Sequence, residues 1–579
     1  MIKINENVLS TDLSPYLKQH KDNPVHWQIW SKETLEFSKK NKKPILLSIG
    51  YASCHWCHVM AHESFEDIET ANLMNDLFVN IKVDREERPD LDFIFQSSFQ
   101  LFNQTGGGWP LTMFLDENGV PFMGGTYFPK EAKHGLPSFK EVLLKVSEAY
   151  KDQREKIVKQ KDLIIKNLDL KKNSVLNQDL EPILEISLNQ LDPIKGGFKG
   201  APKFPTFNLF ETLLYFYNTS KNTKYLKPVE IIIKKLCSKG IYDHVEGGIA
   251  RYTVDEDWII PHFEKMLYDN TQFVLLLSKY CKINSDNYFK EKLEQTVEFL
   301  KKNFINNDGF FGSAYDADSD GEEGKYYVYS QSEIKDIEKI EKYFEITPEG
   351  NWENKIILVE KQKPTKEILN KLLQIRLKRS KPFFDNKTQL DLNCLMISAL
   401  ISANEILENK GYFELAEEVF LKIENKYIKN KIHHSYSTNI AFIEDYAFLI
   451  NAINDLSDKT MNFKYKDLAK KLSEEAFAKF FLEDKNIFQK NQKNSNDTFF
   501  KPIDIGDNTI PNGNAVMLIN LVRLGMMNEA KKLSYSLNGY LNIYKNHMMT
   551  AIRALDFFNN VNLGKNCNEQ GCIINGKKN

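Results

Sequence analysis

Pro44-Ile45-Leu46-Leu47-Ser48-Ile49-Gly50-Tyr51-Ala52-Ser53-Cys54-His55-Trp56-Cys57-His58 is the stretch on which the reading of this chain turns. Its first seven residues form a nearly continuous apolar run bounded by Pro and Gly, the pattern of a buried strand. Residues from Cys57 to Leu77 read as helix, and Phe78-Val79-Asn80-Ile81-Lys82-Val83-Asp84 as a second strand. Strand, helix, strand is a βαβ unit, and a Cys-x-x-Cys pair between its first strand and its helix reads as a redox dithiol of thioredoxin type.

The position dictates the chemistry. A thiolate is the reactive form of cysteine, and the unpaired N–H groups and dipole at a helix N-terminus stabilise it. Cys54 is therefore expected to be the attacking thiol, with His55 adding positive charge, and Cys57, one turn along, the thiol that resolves a mixed disulfide. Trp56 and His58 flank the pair. Further on, Gly106-Gly107-Gly108-Trp109-Pro110 leads into the strand Leu111-Thr112-Met113-Phe114-Leu115, so Trp109-Pro110 stands where such folds carry a cis-proline loop facing the dithiol. Zinc is the competing reading, because Cys54, Cys57, His58 and His62 have ligand-like spacing, but a structural site usually draws two ligands from a second knuckle and the nearby sequence has none. Histidines 20, 26, 58 and 62 can equally be satisfied core or surface groups.

Outward from the dithiol, Asp116-Glu117-Asn118-Gly119 turns the chain into a short strand, Val120-Pro121-Phe122-Met123, to make a hairpin. A charged helix from Ser138 to about Lys166 closes a first domain, residues 1–170, and the polar stretch Leu170 to Gln178 reads as a linker. From 179 to 560 the pattern changes to amphipathic helices starting near Leu180, Phe207, Lys227, Asp269, Asp286, Ser330, Thr365, Leu390, Tyr412, Ile440, Tyr465, Asn512, Asn528 and Met548. About a dozen helices in antiparallel pairs is the number for six hairpins closed into an (α/α)6 barrel, and no repeat of fixed period argues for a solenoid. The fold class expected is multidomain, α/β followed by all-α, with a tail at 561–579.

The 579 residues carry a net charge of −2, so no positive excess is available to release counterions from nucleic acid, and none is expected as a partner. The N-terminus, Met1 to Ser10, lacks the apolar run of a secretory signal, and the longest unbroken apolar run noted, Phe273 to Leu277, is far shorter than a membrane span. A cytoplasmic protein without membrane partner is the expectation. Seven scattered cysteines do not resemble a disulfide framework. No metal or cofactor is expected.

Specific motifs run the length of the chain. They are Ser14-Pro15-Tyr16-Leu17, Asn23-Pro24-Val25-His26-Trp27, Leu47 to Tyr51, Cys54 to Met60, Glu63-Ser64-Phe65, Val83 to Asp90, Gly107 to Pro110 and Gly125 to Pro129. Later come Ala201 to Pro205, Gly247-Gly248, Arg251-Tyr252, Pro261 to Asn270, Asp316 to Ser319 and Glu444 to Ala447. In these the chain resembles the spermatogenesis-associated thioredoxin-like family, which has a bacterial branch of thioredoxin-domain proteins. The resemblance implies a thioredoxin-like first domain and a six-hairpin, glycosidase-like second one, without an established substrate. Three places depart from the family pattern: Leu392-Asn393-Cys394 where Trp-Asn-Gly is usual, Asn386 for an Asp, and Asn512 for a Ser.

A second candidate site lies in the helical region. His262, Glu264 and Lys265 fall within four positions of one another, preceded by His244, Arg251 and Tyr252, while Asp316, Asp318, Glu444 and Asp445 add carboxylates from loops and helix starts. Gathered at one end of a barrel, such groups could serve acid–base chemistry on a sugar. The same carboxylates can simply cap helices. Cys567 and Cys572 make a second close pair in the tail, read as an internal partner for the dithiol, as a redox-labile clip, or as two exposed thiols on a frayed end.

The function expected is a thiol–disulfide oxidoreductase fused to a carbohydrate-binding or carbohydrate-modifying domain, with a protein disulfide and a sugar as partners. The alternatives are a glycosidase or epimerase carrying a passenger domain, and a binding or scaffold protein whose dithiol is structural or holds zinc.

Overall fold

The computed structural model describes residues 4–133, 135–171, 179–565, 567–568 and 570–572. The chain divides into two compact units: residues 1–170 with 433–442 and 489–503, and the remainder.

The first unit is built on a four-stranded sheet in the order β2-β1-β3-β4, with β1 Ile45–Gly50, β2 Val79–Asp84, β3 Leu111–Leu115 and β4 Pro121–Gly125. β1 and β2 are parallel, Ile45 level with Val79 and Gly50 with Asp84, as the βαβ reading requires. β3 runs antiparallel to β1, and β4 folds back on β3 with a bulge at Phe114/Leu115. Val79, Ile81 and Val83 join Ile45, Leu47 and Ile49 in one core. The opposite face is covered too, so Asn80, Lys82 and Asp84 are also buried.

The single helix expected from Cys57 to Leu77 is broken. It runs as α-helix over His55–Met60 and as π-helix over Ala61–Phe65, then restarts at Ile68–Leu77, where the Asp67 carboxylate accepts the Thr70 N–H. A further helix, Pro89–Asn103, fills the connection between β2 and β3. Its signals are ordinary: Pro89 in the first turn, Asp90 and Asp92 at the positive end of the dipole, and Leu91, Ile94, Phe95, Ser98 and Phe99 at helical spacing.

Two segments from inside the expected helical region belong to this unit, an amendment to the 179–560 boundary. Arg88 holds both Asp90 and Asp497 at 2.8 Å, and Asn491 donates to Asp90 at 2.7 Å. His434 Nε2 lies 2.8 Å from the Glu86 carbonyl, and Trp30 donates to the Asp497 carbonyl at 3.1 Å. These are long-range pairings that local periodicity does not encode.

The second unit is a ring. Helices Phe207–Ser220, Leu267–Cys281, Leu390–Leu407, Ile443–Thr460, Gly513–Arg523 and Met549–Asn562 each pack on the next, and the last packs on the first. Between them in sequence run Thr223–Ser238, Asn287–Asn303, Lys410–Ile423, Phe463–Phe480 and Met527–Tyr544, with Glu181–Gln190 ahead of the first. The division of labour follows composition. Leu267–Cys281 buries every residue but Lys279, whereas Thr223–Ser238 buries one stripe, Tyr225, Leu226, Val229, Ile232, Ile233, Leu236 and Cys237. This is the six-hairpin barrel. Two expected helices, at Gln331–Ile334 and Lys366–Arg376, fall in the long insertion between barrel hairpins.

Among the described residues one helix, Leu390–Leu407, is long and apolar enough to cross a membrane by length and composition. Asp391, Asn393, Asn404 and Glu405 interrupt its apolar run. It is mostly buried as an inner helix of the ring.

Candidate functional site

Cys54 is the N-cap of the short helix His55–Met60. The backbone N–H of Cys57 donates to Cys54 Sγ at 3.2 Å, so the sulfur occupies the place a capping oxygen usually takes. The two cysteines are joined as a disulfide, with their Cα atoms 5.2 Å apart. Neither is exposed, at 4% for Cys54 and 2% for Cys57, whereas Trp56 between them is 48% exposed. His55 and His58 are half-buried. The alternative zinc set is not assembled: the sulfurs are bonded to each other, and His62 Nδ1 lies 3.0 Å from Glu66 on the surface.

Gly50 ends β1 beneath this turn. A Cβ there would fall within 3 Å of both Cys57 Sγ and Tyr16 Oη, so glycine is what lets the resolving sulfur and the tyrosine hydroxyl close on the strand. The antiparallel register pairs Leu111 with Ile49 and so brings Pro110 level with Gly50. The Trp109–Pro110 peptide is cis. Trp109 is fixed from three sides. Its indole N–H donates to Asp92 at 2.8 Å, the Arg85 guanidinium lies 3.9 Å over its ring, and Tyr51 meets it edge-on at 5.9 Å. Burial pushes the Asp92 carboxyl up from its ordinary range, with Arg85 opposing. On the exposed side Trp56 packs edge-on against Tyr127 at 5.3 Å, and Tyr127 donates to Glu63, which also pairs with Lys133 at 2.8 Å.

Sequence reading passed over Lys82. Its side chain is buried, 1% exposed, with Nζ 5.0, 4.8 and 4.6 Å from the ring centres of Tyr16, Trp27 and Phe65. The amine donates to Ser48 Oγ at 3.1 Å. Burial holds it well below the usual lysine range. The Tyr16 ring lies against this amine, and the Tyr16 hydroxyl and Cys57 Sγ both come close to the vacant Cβ position of Gly50.

The helical candidates separate into groups. His244 and Lys292 both contact Glu360, at 3.2 and 2.8 Å, and these two partners bring the Glu360 carboxyl down to about 2 against its burial, while burial lowers His244. Lys265 and Arg376 converge on Asp243 at 2.7 and 2.8 Å, holding that carboxyl well below the ordinary range although burial opposes them. These buried networks tie the long insertion, through Glu360 and Arg376, to the segment between Thr223–Ser238 and Leu267–Cys281 and to the helix Asn287–Asn303. Arg251 pairs with Glu264 at 3.1 Å, also buried. Tyr252 faces His262 across a two-residue ladder and stacks on Phe204 at 4.6 Å, and His262 lies 3.1 Å from Glu323, itself paired in register with Asp318. Asp316 accepts the Asp318 N–H at 3.1 Å. Tyr252 and Asp318 are half-buried and Phe204 is exposed, so this group includes a solvent-facing edge. Glu444 and Asp445 are buried in the first turn of Ile443–Thr460. Of the departures from the family pattern, Asn512 caps Gly513–Arg523 by accepting the Ala515 N–H at 3.2 Å, the task a serine performs. Cys394 is buried in an inner helix, and Cys567 and Cys572 lie opposite each other in the tail ladder.

Residues 6–169 match the family model Thioredox_DsbH, described as "Protein of unknown function, DUF255". "Uncharacterized protein B0495.5" of Caenorhabditis elegans is 30% identical over 90% of this chain and 81% of its own length. The chain belongs to the Thioredox_DsbH family. Another relative of this Thioredox_DsbH chain, human "Spermatogenesis-associated protein 20", is 29% identical over 81% of this chain and 69% of its own. Among solved structures, a sugar epimerase from a ruminal bacterium aligns with a TM-score of 0.40 and 14% identity, covering 63% of this chain and 84% of its own.

Proposed function

We propose that the protein is a thiol–disulfide oxidoreductase with a thioredoxin-like first unit, joined to a helical unit that takes a carbohydrate ligand. The observation that carries the redox reading is the Cys54–Cys57 disulfide at a helix N-cap, with the Cys57 N–H directed at Cys54 Sγ. In the reduced form that N–H and the helix dipole stabilise a Cys54 thiolate. The thiolate attacks a substrate disulfide, forming a mixed disulfide and releasing one substrate thiolate. Cys57 then gives up its proton and attacks Cys54 Sγ. The second substrate thiol leaves, two electrons have passed to the substrate, and the Cys54–Cys57 disulfide returns for reduction by an external thiol.

The carbohydrate reading is supported by the stacked, partly solvent-facing pair Phe204 and Tyr252 beside His262, since aromatic faces and adjoining polar groups suit a sugar. The redox reading is tested by turnover of a disulfide substrate coupled to a thiol reductant, comparing wild type with Cys54→Ser. The carbohydrate reading is tested by titrating a panel of mono- and disaccharides against wild type and His262→Ala, and saturable binding lost in the variant is expected.

A further inference from the structure

At the far end of β1 from the dithiol, the first unit contains a cavity of about 520 Å3. That is within the range of ordinary small-molecule sites. Three elements frame it. The helix Lys32–Asn41 stops at Lys42, whose backbone is left-handed, and the chain enters β1 through Lys43 and Pro44. The helix Ile68–Leu77 ends beside it, leading through Phe78 into β2. The helix Phe139–Lys159 contributes Ser147, Tyr150, Lys151 and Arg154, spaced so that they share one face.

The lining is two-sided. Phe37, Leu77 and Phe78 provide an apolar wall, while Lys42, Lys43, Lys151 and Arg154 provide four cationic groups against one lining carboxylate, Asp76. Arg154 is partly answered by Glu117. Lys42, Lys43 and Lys151 form no ion pair among the described residues. Lys43 is half-buried, its amine donating to the Asn75 carbonyl at 2.8 Å, and burial draws it below the usual lysine range. One further donor of the lining residues, Arg154 Nε, is buried without a hydrogen-bond partner among the described residues. The unsatisfied Arg154 Nε–H and an excess of lining cations, offset only in part by Asp76 and Glu117, beside an apolar wall are features that a bound anion with an apolar body would answer.

We propose that this cavity is a binding site for a small organic anion, a carboxylate or phosphate monoester carrying an aromatic or aliphatic body, distinct from the dithiol. The apolar body lies against Phe37 and Phe78, and the anionic head faces Lys43 and Lys151. The site draws on none of the residues of the redox reading, so it stands or falls independently of it.

The test is calorimetric titration of the full chain with 4-phenylbutyrate and with phenyl phosphate, and with 4-phenylbutan-1-ol as the uncharged control. Saturable binding of at least one anion is expected, on the order of millimolar or tighter, at least tenfold tighter than the alcohol and weakened by salt. The tighter anion identifies the head group. Lys151→Glu, an exposed change that leaves folding intact, is expected to weaken the anion at least fivefold, and Ser147→Trp, which fills the cavity, to abolish binding. Three results would overturn the proposal: no binding of either anion, an alcohol bound equally well, or anion binding unchanged in Lys151→Glu with the variant's circular dichroism native.

Discussion

Cys57 Sγ and the Tyr16 hydroxyl approach the same point, the vacant Cβ position of Gly50, each to within 3 Å. The dithiol, the N-terminal helix Pro15–Gln19 and the end of β1 therefore meet where only a hydrogen fits. Gly50→Ala is expected to displace one of the two neighbours and lower stability by about 1–3 kcal/mol, the usual range for overpacking. Urea unfolding of the oxidised protein measures it, and a loss below about 0.5 kcal/mol would mean the contact is easily relieved.

Lys82 gives a pH signature. Its folded pKa is lowered by burial from the ordinary 10.5, so between the lowered value and 10.5 the unfolded chain binds more protons than the folded one. Stability contributed at this site therefore rises with pH through that window, by at most about 1.4 kcal/mol per pH unit. Urea unfolding between pH 7 and 10 should show this slope in wild type and its loss in Lys82→Met. Equal slopes would show that the amine keeps its ordinary affinity for the proton.

Glu211 behaves oppositely. Lys279 and Arg553, at 2.9 and 2.7 Å, bring its carboxyl down to about 2 against the desolvation that would raise it. Its stabilising contribution is complete above the ordinary 4.5 and is lost as pH falls toward 2. Glu211→Gln is expected to cost about 3 kcal/mol at pH 7 by leaving two cations without their carboxylate. The difference from wild type should shrink as pH is lowered through that interval, as followed by denaturant unfolding.

Trp56 is exposed beside buried cysteines, which suits recognition of a protein disulfide better than packing. Trp56→Ala is expected to change the melting temperature by less than 2 °C while raising KM for a protein disulfide severalfold, with little change for a small disulfide. Parallel kinetics on an oxidised protein and on oxidised glutathione would separate the two.

Much of this architecture is legible from the chain. Strands 45–50, 79–84 and 111–115 are short apolar runs, and the barrel helices start within about four residues of their sequence-expected positions because each begins where an apolar period resumes after a turn. Lys82 is not legible, since a polar residue at alternate spacing reads as solvent-facing and only a sheet covered on both faces buries it. Nor are segments 433–442 and 489–503, whose membership in the first unit rests on partners such as Arg88 and Asp497, more than four hundred residues apart. Density of charge marks His244 and Lys265 as candidate pocket residues, and the fold gives them carboxylate partners, Glu360 and Asp243, that spacing could not identify.

The central claim is that Cys54 and Cys57 exchange electrons with a disulfide substrate, and the most direct measurement is dithiothreitol-driven reduction of insulin by wild type, Cys54→Ser and Cys57→Ser. Catalysed reduction by wild type is predicted, abolished in Cys54→Ser, with Cys57→Ser arrested as a mixed disulfide detectable by mass. Reduction by Cys54→Ser at the wild-type rate, or a wild type no faster than dithiothreitol alone, would contradict it.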